Sequence, residues 1–371
     1  MCRSSSQKSG VLDDGACQET FERNASQAGL ATKSPIVAFP SIIQILLWSA
    51  LTYVSKEFSV FLPVFQSKAG ANTFLSTAFK YDEDTYFDNS IWTYGTDYAL
   101  CAIMSYAAYQ CLNVSPVRTY SSNGMEERNE LFDTTKSQPL RIKSACLFLS
   151  YAISVLAGGY AHQSFTGGVD DLNTIHFRIC WTICVGAVSA AGGLMGACGS
   201  EIYKRFHIHG NPGRSRFRFF YVHDFLWIVY GGYLTWVCVQ GGLSYKRPAC
   251  DIFVAGTSQF FPTVYCVLTV LSINWNDAKP HLEGVCNIQG DGDRISRKYR
   301  YMFYLGFFLN APLLPTYPLY VQYTSLSLGI VNTIMHTNLL VAWGLQALSL
   351  RHFCESFSYN GNSVRNARKD T

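Results

Sequence analysis

Imidazole, carboxylate, hydroxyl and amide side chains recur in this chain inside stretches that are otherwise apolar. Asn332 and His336 stand one helical turn apart near the end of the sequence, Ser154 and His162 share an earlier stretch, and Asp97 opens another. Neutral imidazole nitrogens and anionic oxygens are the donors that a zinc-type site uses, with one position left for water. Asp97 and Ser154 are the groups here that could then handle protons, while His162, Asn332 and His336 would be the ligands. Without a metal, the same set could bind a small molecule, or simply hydrogen-bond one helix to another. Ser325, Gly329, Asn332, His336 and Trp343 recur at steps of four, three, four and seven, so on a helix they form one stripe of small, polar and aromatic groups. That stripe should face protein, because an ionisable group at membrane depth costs at least about 2.5 kcal/mol and usually marks a pathway or a site.

The composition says what must position these groups. Of 371 residues 49% are hydrophobic and 15% charged, against roughly 25% charged in ordinary soluble domains. Seven runs, at 92–112, 144–166, 176–199, 217–241, 249–273, 299–321 and 325–349, have the length of about 20 residues that a membrane helix needs. The expected fold is therefore all-α, a multi-pass transmembrane bundle of seven helices, with an eighth if the apolar segment 36–54 also spans. Residues 1–35 read as a disordered polar tail, 36–91 as that apolar segment followed by an acidic approach, 92–349 as the membrane domain, and 350–371 as a cytoplasmic tail.

Basic residues set the orientation. Arg118, Arg128, Lys136, Arg141 and Lys143 follow the first run, Lys204, Arg205, Arg214 and Arg216 the third, and Lys279, Arg294, Arg297 and Lys298 the fifth, so these loops should be cytoplasmic. On that orientation the acceptor pattern at Asn113 stays unglycosylated, while Asn24 can carry a glycan only if 36–54 does not span. Asp97, His162, His176 and Asn332 fall in the outer half, joined by Asp170 and Asp171 from a short loop, with His336 near the middle. At 1.5 Å per residue His336 lies roughly 16 Å into its run and His162 about 6 Å from the end of its own, so Asn332 is the better match in depth to His162. The net charge of +4 is spread over loops and implies no nucleic-acid patch.

Other features read as architecture. Ser189 with Gly193, and Gly192 with Gly196, have the four-residue spacing that lets helices approach closely. The sixth run contains Asn310, Pro312, Pro315 and Pro318, and the prolines should kink or break it. The 13 cysteines include no doubled CxxC pattern and read as small buried hydrophobes. His207 and His209 read as solvated loop residues, and His223-Asp224 sits far from the outer group. Asp82, Glu83, Asp84 and Asp88 form an acidic run that reads as a solvated approach, with a cation-binding cap as the alternative.

At Asp97, Ser154, Gly158, His162, Asn332 and His336 the chain bears a remote resemblance to the seven-helix membrane hydrolases and receptors that include the alkaline ceramidases and the progestin and adiponectin receptor proteins. The resemblance implies a zinc held by a histidine in an early helix and two histidines one turn apart in the last, with a serine and an aspartate helping to activate water. Here asparagine occupies one expected histidine position, and His162 stands two turns from Ser154 where the family has one. Two readings follow: a receptor or transporter that binds a small molecule or lipid in an outer cavity within the membrane, or a metal-dependent hydrolase of a lipid amide or ester, for which zinc is the expected cofactor.

Overall fold

The computed structural model describes residues 87–113, 138–165, 168–208, 217, 220–244, 252–273, 275, 291–310 and 327–358. Among these, the chain is helical throughout, with no strand. The eight α-helices are α1 (Ile91–Leu112), α2 (Gln138–Ser164), the single turn α3 (Val169–Leu172), α4 (Ile175–Tyr203), α5 (Asp224–Ser244), α6 (Ile252–Ser272), α7 (Asp291–Asn310) and α8 (Leu328–Ser358), and a π-helical turn, Lys204–Ile208, prolongs α4. Two stretches, Pro139–Ser164 and Ile175–His207, are long and apolar enough to cross a membrane.

Local chemistry sets the helix ends. Ser90 caps α1 by accepting from the Thr93 amide at 3.4 Å, and Thr174 caps α4 by accepting from the Phe177 amide at 3.3 Å. The last carbonyls of α1 are met from the next helix, where Arg141 donates to Cys111 O at 2.8 Å and Leu112 O at 2.7 Å. Arg141 and Lys143 therefore belong to α2 and not to the loop expected before it. α7 runs to Asn310, the last described residue before Pro312. α8 runs past the expected end of its span at 349 to Ser358.

Helix α1 packs on α2, α2 on α4, α4 on α6, α6 on α7, α7 on α8 and α8 back on α1, while α5 lies against α4. Glycine makes the closest crossings. A Cβ on Gly193 would sit 2.8 Å from the Gly231 Cα of α5, and one on Gly199 would sit 2.9 Å from the Cys266 Cα of α6, so backbone meets backbone on two sides of α4. The expected small-residue packing of this helix is what the structure shows.

The α8 stripe also lies as its spacing requires. Asn332 and Trp343 are buried and His336 is half-buried, while Ile330, Ile334, Val341 and Leu348 on the opposite face are exposed. The N-terminal tail, 36–54, Asp82–Asp84, Asn24, Cys2, Cys250, His209, Ser325, Pro312, Pro315, Pro318 and most of the basic loops lie outside the described residues.

Candidate functional site

The crossing of α1, α2 and α8 begins with Gly158 and Gly159 of α2. A Cβ at Gly159 would lie 3.1 Å from Asp97 Cβ, and one at Gly158 would lie 3.4 Å from Asp97 Oδ2 and 3.2 Å from Cys184 Sγ. Two adjacent glycines thus let α1 bring Asp97 into contact with α2. Helix α8 supplies the partner: His336 Nδ1 lies 3.1 Å from Asp97 Oδ1. A carboxylate accepts, so this nitrogen carries the hydrogen.

The second imidazole is fixed from the chain that enters α1. His162 Nδ1 donates to the backbone carbonyl of Asp88, and Phe87 lies flat on the His162 ring with centroids 4.3 Å apart and planes 1° apart. Phe87 is in turn boxed edge-on by Phe177 and Trp181 of α4. The two histidine rings meet edge to face with centroids 5.6 Å apart. The mismatch in depth expected for His162 and His336 does not occur. Depth counted from helix ends takes those ends as level, and the contact requires α2 and α8 to be offset along their axes.

The Asp88 carboxylate ties the level together. Thr93 Oγ1 donates to Oδ2 at 2.6 Å, the Ser90 amide donates to Oδ1 at 2.9 Å, and Asn332 Nδ2 donates to Oδ2 and, at 3.1 Å, to Thr93 Oγ1. Burial alone would raise this carboxyl, but the Thr93 hydroxyl, the Ser90 amide and the Asn332 amide outweigh it and hold Asp88 below its ordinary value. Nothing among the described residues lies within 4 Å of where a Gly329 Cβ would be, one turn before Asn332.

Of the residues singled out by type and spacing, Asp97, His162, Asn332 and His336 come together. Ser154 stands beside them: its hydroxyl donates to the Cys184 carbonyl at 2.7 Å. His176 and Asp170 are exposed and away from the cluster, and Asp171 caps locally, its carbonyl accepting from Thr174 Oγ1 at 2.7 Å. His207, expected in a solvated loop, pairs with Ser272 Oγ of α6 at 2.7 Å, because the π-helical turn keeps it against that helix. Asp88 was hidden in the acidic run, where its neighbours suggested a solvated face. The signal that could have found it is the sequence Asp88-Asn-Ser-Ile-Trp-Thr93, a capping pattern in which an aspartate precedes the cap.

Among the described residues, no group of three or more His, Cys, Asp and Glu side chains is arranged to hold a metal ion. What the cluster offers is two imidazoles whose Nδ1 atoms are committed as donors, which leaves each Nε2 as the chemically open atom. Comparison with family models, with characterised proteins and with solved structures gives no match. The site is therefore read from its own geometry.

Proposed function

We propose that the chain is a multi-pass membrane protein that binds a small molecule or lipid at the Asp88–Asp97–His162–Asn332–His336 cluster, as a receptor or transporter. The observation that carries this is the gathering of two carboxylates and two imidazoles from three helices and the chain entering α1, with Asp88, Asp97, His162 and Asn332 all buried. Groups this costly are not collected to fill space, since leucine would do that better. The outer surface supports a lipid setting: Ile142, Leu149, Ile153, Leu156 and Tyr160 form an exposed face of α2, and Ile175, Ile179 and Ile183 one of α4. His162 and Lys143 are nineteen residues apart along α2, about 28 Å, close to the thickness of about 30 Å of a hydrocarbon core.

The test uses the full chain in lipid nanodiscs, with co-purifying small molecules and lipids measured by mass spectrometry. His336→Ala should still insert and purify as a single species but lose a ligand that the parent retains. Identical ligand content in parent and variant overturns the proposal. A glycan on Asn113, which follows the last turn of α1, would reverse the proposed orientation.

The metal-dependent hydrolase is the second reading, favoured by one observation: both imidazoles are oriented through Nδ1 by an oxygen, the arrangement that holds a histidine ligand in place. The described residues offer no third ligand, so a metal would need a donor from outside them. Zinc measured on the same parent and His336→Ala samples separates the readings, because bound zinc lost with His336 belongs to the hydrolase alone.

A further inference from the structure

Farther along the α8 stripe, seven residues past His336, lies a second polar level. Trp343 and Gln346 are 4% and 3% exposed, yet Trp343 Nε1 and Gln346 Nε2 have no hydrogen-bond partner among the described residues. Unmet buried donors are rare and need a reason. Both side chains are well held. The Trp343 ring lies over Tyr151 with centroids 3.9 Å apart, and the Gln346 stem passes 2.9 Å from where a Cβ on Gly306 would stand. The Tyr151 hydroxyl is turned to α6, donating to Gln259 Oε1 at 2.8 Å, and accepts from neither nitrogen.

We infer that this level is a second binding position, about 10 Å along α8 from His336, for a neutral oxygen acceptor such as a ketone or ester carbonyl carried on an apolar body. It rests on the binding reading above and names a ligand class for it. The two buried unmet atoms are both N–H donors, so an oxygen acceptor satisfies them and an ammonium group does not. Trp343, Gln346, Tyr151 and Gln259 are all uncharged, so an anionic acceptor would meet no counter-charge here. Leu339 and Leu340, between the two levels, pack against the core yet keep part of their surface accessible. Nothing among the described residues lies within 4 Å of a Cβ on Gly344, beside Trp343.

The test is saturable binding of tritiated methyl nonyl ketone to the full chain in nanodiscs, with decanoate and decylammonium as competitors. The ketone should bind at least about tenfold more tightly than either ion, and Trp343→Phe and Gln346→Met should each weaken it about fivefold, the worth of one hydrogen bond. Equal competition by the ions, absence of saturable binding, or equal ketone affinity in parent and both variants overturns the inference; the last outcome would mean that a resident water holds the donors. The parent's preference among the three probes decides even if a variant fails to fold. Ketone binding that falls in Trp343→Phe but not in His336→Ala, with ligand content also unchanged in His336→Ala, supports this level and sinks the outer-cluster reading. Binding that falls in His336→Ala but not in Trp343→Phe does the reverse.

Discussion

At the end of the bundle where α2 begins, Lys143 Nζ lies 2.9 Å from Glu201 and 2.6 Å from Asp224, and Lys204 adds a contact of 3.1 Å to Asp224. At the other end, Asp88 is held by a hydroxyl, a backbone amide and a side-chain amide, and Asp97 by an imidazole. The first group joins α2, α4, the π-helical turn and α5 by pairing full charges of opposite sign. The second joins α1, α2 and α8 with neutral donors and two rings whose second nitrogen has been left open. Pairing of full charges completes a structure; a carboxylate and imidazole set with spare valence leaves something for a ligand.

Five changes break or sharpen that contrast, and the largest effect belongs to Asp88. Asp88→Ala strands three donors, each costing about 1 kcal/mol or more when buried and unmet, so a loss of about 3 kcal/mol and of any bound ligand is expected by thermal unfolding and mass spectrometry. The pH dependence has a definite sign. The folded carboxyl is held below its ordinary value of 3.8, so the stability it supplies is complete above that value and is lost as pH falls through the lower folded value. The gap between parent and Asp88→Ala should thus be constant at neutral pH and narrow in acid; a gap that widens there contradicts the hydrogen-bonding account.

Lys143→Met comes next, at about 2 kcal/mol, because the exposure of the three side chains discounts the cost of a broken buried pair. Ligand content should not change, and a loss there would mean that the two ends act as one. His336→Ala should cost about 1 kcal/mol, the worth of one interhelical hydrogen bond, yet remove the ligand. Unaltered ligand with a lower melting temperature would make His336 a packing residue. The smallest effect is Gly95→Ala, which meets no neighbour within 4 Å and should gain about 0.5 kcal/mol from helix propensity. Gly159→Ala, pressed on Asp97, should forfeit that gain, and equal responses would remove the argument that Gly159 seats α1.

Periodicity made the α8 stripe legible, because burial on one face repeats every three or four residues whatever the fold. Asp97 and His162 were visible as ionisable groups in apolar runs, and the close packing of α4 followed from glycine spacing. The Asp88 role was not, because a carboxylate among carboxylates looks solvated until the chain turns back and lays Phe87 on His162. Lys143, Glu201 and Asp224 were equally opaque: their pairing depends on which helix ends lie side by side, and local sequence carries no such information. The meeting of His162 with His336 was missed because depth was counted from helix ends taken as level, whereas α2 and α8 are offset along their axes.

The length of α8 has a mechanical meaning. Its 31 residues make a rod of about 46 Å, longer than the hydrocarbon core of about 30 Å. It leans on α7 where Gly306 would place a Cβ only 2.7 Å from the Ala342 carbonyl, close to the middle of the rod. A rod supported near its midpoint has arms of nearly equal length. Asn332 stands ten residues on one side of Ala342 and Cys354 twelve on the other, so a tilt about this contact would move the two by similar amounts in opposite directions, and His336 by less.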